Sequence, residues 1–120
     1  MDFTLCIKRS LILLLLSAFL VGCSSNQSKQ IPPNLTGYIL EVEDNKLLVA
    51  EHISFEEYNQ IKNIPNVKLI EEGKLNLLYI TYTDVKNLKK GNEIEIWVEY
   101  GEVGTSYPGS AIANRVEIIE

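Results

Sequence analysis

Histidine occurs once in the 120 residues, at position 52, and cysteine only twice, at positions 6 and 23. A single histidine excludes a metal site built from several imidazoles. It also leaves no visible set of nucleophile, base and orienting acid of the kind that covalent catalysis requires. Basic residues are outnumbered by acidic ones, 11 against 16. Proteins bind nucleic acid largely through Lys and Arg that release counterions from phosphates, so no nucleic-acid partner is expected. A long apolar run is missing too. The stretch "LILLLLSAFLV", residues 11–21, is about half the roughly 20 residues that a membrane-crossing helix needs.

What surrounds that stretch gives it a meaning. Lys8 and Arg9 precede it, and Ser24, Ser25, Asn26 and Gln27 follow closely. A basic head, a short apolar middle and a small-residue exit is the layout of a secretory signal peptide. The exit, Leu20-Val21-Gly22-Cys23, resembles the lipobox of bacterial lipoproteins. The resemblance implies that the Cys23 thiol receives a diacylglyceryl group and that cleavage before Cys23 makes it the new N-terminus. The residue types suit that chemistry: Gly22 leaves room beside a bulky lipidated sulfur, and a thiolate is the nucleophile suited to forming a thioether. Two acyl chains hold a protein where one binds only marginally, at about 0.8 kcal/mol per buried CH₂. The expected location is the extracytoplasmic face of the cell membrane, with the lipid as the membrane contact.

Without residues 1–22 the chain keeps nine basic and fifteen acidic residues, a formal charge of −6. Such a body is mildly repelled by anionic headgroups and should stand off the membrane. With Cys6 removed and Cys23 lipidated, no thiol remains for a disulfide, unlike the stapled scaffolds usual among small secreted domains. Core packing alone must stabilise the fold, and a soluble monomer is expected. No cofactor and no metal site is expected. Residues 24–35, "SSNQSKQIPPNL", are polar and then Pro-rich, the composition of a tether. The organisation is thus a signal peptide over 1–22, a lipidated cysteine with a flexible tether over 23–35, and one β-rich domain over 36–120.

In "GYILEVEDNKLLVAE", Tyr38, Leu40 and Val42 alternate with Ile39, Glu41 and Glu43, which predicts a strand with one carboxylate-bearing face. Residues 43–46 supply turn chemistry and residues 47–50 return as a second strand, making a hairpin. The period then changes. Ser54 followed by Glu57 is a capping box, flanked by Ile53 and Tyr58 at staple positions. A single helix over residues 55–62 follows, with Phe55, Tyr58 and Ile61 on one face. Asn63 and Pro65 end it. "KLNLLYITYT" places Leu75, Leu77 and Tyr79 against Leu78, Ile80 and Tyr82, a strand buried on both sides with the helix covering its back. A fourth strand turns Ile94, Ile96 and Val98 inward and Glu93, Glu95, Trp97 and Glu99 outward, and "AIANRVEIIE" is the fifth. The order β-β-α-β-β-β suits a small, mainly β, five-stranded, partly open barrel or a curved antiparallel sheet with one short helix.

Few residues are placed for chemistry. Glu41, Glu43, Asp44 and Asn45 lack the spacing of a calcium loop, and turn chemistry accounts for Asp44-Asn45. Glu99 and Glu102 form a carboxylate pair that this composition produces by itself. "TSYPGSA", residues 105–111, is the most individual loop. Tyr107 before Pro108 favours a cis bond, and Gly109 is expected at the positive φ of a type II turn. The loop reads either as a fixed corner or as a recognition loop with Trp97, Tyr100 and Tyr107 as its contacts. An outward tryptophan on an acidic face hints at a binding surface, although packing under the helix is equally simple.

Together, "GYILEVEDNKLLVAE", "LKKGNEIEIWV" and "TSYPGSAIANRVEII" resemble the YobA-like family of small lipoproteins, a domain of unknown function found mainly in Gram-positive bacteria. The resemblance covers residues 36–120 and the leader, and is loose over the central helix and residues 64–73. It implies a small barrel like those that bind oligonucleotides or oligosaccharides, held at the cell surface, and it supplies no catalytic residues. The function expected is a surface-tethered, non-enzymatic binding lipoprotein, with a glycan as one partner class. The alternative is an accessory or inhibitory lipoprotein acting on a secreted or envelope protein.

Overall fold

A computed structural model describes residues 31–119. The expected signal peptide, Cys23 and most of the expected tether lie outside the described residues, as does Glu120. Five strands run as β1 (Leu35–Glu43), β2 (Lys46–Glu51), β3 (Leu77–Thr81), β4 (Glu93–Val98) and β5 (Gly109–Ile118). They close into a barrel in the order β1-β2-β3-β5-β4. Every pairing is antiparallel except β3 with β5, which is parallel and joins Leu78–Thr81 to Gly109–Ile112. The fold is mainly β and five-stranded as expected; of the two forms the sequence suits, a partly open barrel or a curved antiparallel sheet, the structure takes the barrel, closed and with a mixed sheet. Pairing begins ahead of residue 36, because the Asn34 N–H donates to the Ile96 carbonyl at 2.9 Å.

Two helices stand between β2 and β3: α1 (Phe55–Ile61) and α2 (Asn66–Glu72). The α1 capping box is formed as the sequence predicts. Ser54 Oγ accepts from the Glu57 N–H at 3.1 Å, and Glu57 Oε1 accepts from the Ser54 N–H at 3.3 Å. The second helix was not expected. Its N-terminus is Pro65, with no side-chain cap, and it closes at Gly73 in the left-handed conformation, φ 63°. Pro65 serves here as a start as well as a stop: at the N-cap its missing N–H costs no helical bond, and its carbonyl accepts from the Lys68 and Leu69 N–H groups at 3.0 and 3.2 Å.

The apolar residues divide into two cores on either side of the β1–β3 wall. Inside the barrel lie Ile39, Leu47, Val49, Leu78, Ile80, Ile94, Ile96 and Val98. Between wall and helices lie Tyr38, Leu40, Leu48, Ala50, Tyr58, Leu69 and Leu77, with Leu75 and Tyr79 packed against them. The two-sided reading of β3 thus holds, with the helices covering its back. In β1 the simple alternation fails. The register shifts between Ile39 and Glu41, so Leu40 is an extra residue. A bulge of this kind puts two residues opposite one and reverses the faces beyond it. Val42 accordingly packs on the barrel core with Ile39, while the Glu41 carboxylate turns to α2 and accepts from Asn66 Nδ2 at 3.0 Å.

Gly109 also departs from its expected role. It is the buried first residue of β5, and its φ lies outside the left-handed region where Gly73, Gly91 and Gly101 are found. Its need is for space. A Cβ there would lie 2.5 Å from Leu78 Cδ2, the residue it pairs with in β3. The Tyr107–Pro108 bond is cis.

Candidate binding cleft at the β4–β5 loop

At the end of β4 the chain makes a 3₁₀ turn, Glu99–Gly101, in which Tyr100 (φ 56°) and Gly101 (φ 66°) are both left-handed. A non-glycine residue in that region is strained and persists only where its surroundings hold it, most often at functional sites. The surroundings here do hold it. Asn34 Oδ1 accepts from the Val98 N–H at 2.8 Å, and the Glu102 N–H donates back to the Glu99 carbonyl at 3.2 Å. Further along, the Gly104 N–H donates to the Ser110 carbonyl at 2.6 Å and the Tyr107 hydroxyl donates to the Leu75 carbonyl at 2.9 Å. The loop over residues 99–108 is therefore tied outward at two places, to Ser110 of β5 and to Leu75 ahead of β3, and Asn34 holds the strand end from which it leaves.

Between this loop, Thr81 at the end of β3 and Ser110 to Ile112 of β5 lies a cleft of about 380 Å³. Its polar groups are the Glu99 and Glu102 carboxylates and the Thr81 and Ser110 hydroxyls, and its apolar surface comes from Tyr100, Ala111 and Ile112. Tyr100 is 86 % exposed and Ile112 54 %. No Lys or Arg lines the cleft, so an anionic ligand finds no counter-charge. Glu102 is exposed and Glu99 half-buried. Neither carboxylate sits in the dry apolar surround that distinguishes a general acid of glycoside hydrolysis.

Of the three aromatics singled out from the sequence, only Tyr100 lines the cleft. Trp97 faces outward from β4, half-buried, with the Arg115 guanidinium 4.3 Å from its ring centroid. Tyr107 is 48 % exposed and held through its hydroxyl to Leu75. His52 is exposed, left-handed at φ 54°, and 3.3 Å through Nε2 from the Glu51 carboxylate. Glu51 also accepts from Asn76. Sequence reasoning missed Thr81, Ser110 and Ile112. Thr81 is 29 positions from Ser110 and 31 from Ile112, and only the parallel pairing of β3 with β5 brings them to one place. On the helical side, burial and then the Glu93 charge push the Tyr38 phenol above its ordinary range. The Tyr38 ring stacks on Tyr58 at 5.0 Å.

Residues 36–120 match the model of a family described as a protein of unknown function, DUF3221. The fold is similar to the crystal structure of a YobA protein from Bacillus subtilis, with TM-score 0.55 and 21 % identity over 71 % of this chain and 91 % of the other. It is also similar to the solution structure of Bacillus subtilis YobA, with TM-score 0.52 and 21 % identity over 78 % of this chain and 85 % of the other. No curated protein matches the sequence.

Proposed function

The chain belongs to the DUF3221 family, and from that footing we propose that it is a non-enzymatic binding lipoprotein, tethered through Cys23 to the outer face of the cell membrane. The ligand lies on Tyr100 in the β4–β5 cleft. The exposed Tyr100 ring, set by a left-handed backbone beside two carboxylates, is the observation that carries this reading. Small barrels that bind oligosaccharides or oligonucleotides do so on the β2–β3 face and through the β1–β2 and β4–β5 loops. In this chain the helices fill the first, and the second is a two-residue turn between Glu43 and Lys46. The β4–β5 loop remains. An aromatic face beside hydroxyls and carboxylates, without a cation, suits a neutral or amino-bearing sugar. A loop already ordered has less conformational entropy to lose on binding.

Two measurements test the proposal. Cys23→Ser should move the protein out of the membrane fraction or leave it unprocessed; an unmodified Cys23 on membrane-bound wild type, seen by mass spectrometry, refutes the anchor. On an array of neutral and amino-bearing glycans, wild type should be retained and Tyr100→Ala should not. Retention that survives Tyr100→Ala, or none by wild type, removes the cleft from the function.

A further inference from the structure

Strand β5 has neighbours on both sides only over part of its length. Gly109–Ile112 pair with β3, whereas the segment from Ala113 to Ile118 pairs with β4 alone. The direction of its main-chain groups follows from the register. The Ile119 N–H donates to the Glu93 carbonyl at 2.8 Å, and Glu95 faces Glu117 while Trp97 faces Arg115. Hydrogen-bonded pairs alternate along an antiparallel ladder. Residues 115, 117 and 119 therefore address β4, and the N–H and C=O of Val116 and Ile118 point the other way. The partner strand gives the same answer, since the Ile96 carbonyl, opposite Val116, is turned to Asn34. On their outer side, Val116 and Ile118 have no main-chain hydrogen bond among the described residues.

Those groups open on a second groove, of about 370 Å³, whose walls are Val116, Glu117 and Ile118 on one side and Tyr82, Asp84 and Leu88 on the other. From strand rise, strand spacing and sheet separation, one residue of an added strand occupies about 160 Å³. The groove thus has room for two or three residues of extended chain. That is the length over which Val116 and Ile118 present paired donors and acceptors. No Lys or Arg lines the groove, and Asp84 contributes a carboxylate, Glu117 being engaged by Arg115.

We propose that the β5 edge from Val116 to Ile118 receives an extended peptide segment of another protein by strand addition, and that this segment carries a basic residue facing Asp84. Main-chain hydrogen bonds give such an interaction its affinity, and the side-chain environment gives its selectivity. The surface is separate from the Tyr100 cleft, and the inference does not depend on a ligand there.

The test uses the full-length protein in detergent with the synthetic peptide Val-Lys-Val-Lys-Val, followed by amide hydrogen exchange. Saturating peptide should slow exchange at Val116 and Ile118 by tenfold or more, with little change at Arg115 and Glu117, which are already bonded to β4. The fully N-methylated peptide should protect nothing, and Asp84→Asn should weaken binding several-fold at low salt. Val116→Pro removes one outward donor and should abolish binding, and if that variant does not fold, the N-methylated peptide carries the same test on intact protein. Unchanged exchange at Val116 and Ile118, or equal protection by the N-methylated peptide, overturns the proposal. So does protection without peptide that grows with protein concentration alongside a dimer in sedimentation, because the occupant is then a second copy.

Discussion

Two glycines in this chain resist an alanine for different reasons, and the difference can be measured. At Gly73 a Cβ would meet nothing within 4 Å, but φ is 63°. Gly73→Ala should therefore cost about 1 kcal/mol, the strain of a left-handed residue alone. At Gly109 the backbone is extended and the obstacle is Leu78 Cδ2. Gly109→Ala should cost about 1–3 kcal/mol by overpacking. Adding Leu78→Val should recover part of the loss at Gly109 and none at Gly73, which a double-mutant cycle under denaturant would show. Tyr38 sets a pH dependence. Its raised pKa means that the folded state holds the phenol proton more tightly than the unfolded chain does. The contribution is fully present below the unfolded value of about 10 and is lost as pH rises through the folded value. Tyr38→Phe should flatten that alkaline limb of the stability curve, checked by denaturant melts between pH 8 and 11.

The helical layer rests on local signals of unequal strength. Ser54→Ala should destabilise the protein by about 1 kcal/mol through loss of the cap on α1, read as a lower denaturation midpoint at unchanged slope. That cap was legible in the sequence because Ser54 and Glu57 are three positions apart and each answers the other's backbone. Nothing comparable announces α2, which starts at Pro65 without a side-chain cap and buries only Leu69. The five strands were legible, β4 by clean alternation and β1 only as far as its bulge, and both faces of β3 were assigned to the correct cores. Leu40 was not readable as a bulge, since no glycine or proline marks it and only the partner strand's register reveals it. The same limit applies to the cleft. Tyr100 and its carboxylates are neighbours in sequence, whereas Thr81 and Ser110 come to them through parallel pairing of β3 with β5, which alternation does not encode. Trp97 and Tyr107 were chosen by residue type, and each is engaged elsewhere, with Arg115 and with Leu75.

As a whole, the domain depends on two apolar cores sharing one wall, and β2 presents four consecutive buried residues, Leu47 to Ala50, to both of them. Unfolding should be a single cooperative transition in calorimetry, with calorimetric and van't Hoff enthalpies equal. Reductant should not shift it, because no cysteine follows Cys23. The shared wall has another consequence, for what happens when the chain is cut. The connection between α1 and α2, residues 62–65, is short and has exposed positions at Lys62, Asn63 and Pro65. A protease that nicks it leaves the barrel core sealed but loosens the cover over Tyr38, Leu40, Leu48, Ala50 and Leu77. An uncovered apolar area of that extent is a sticky patch. The nicked protein would keep its sheet and lose its solubility, so precipitation without unfolding is the expected signature of damage at this hinge.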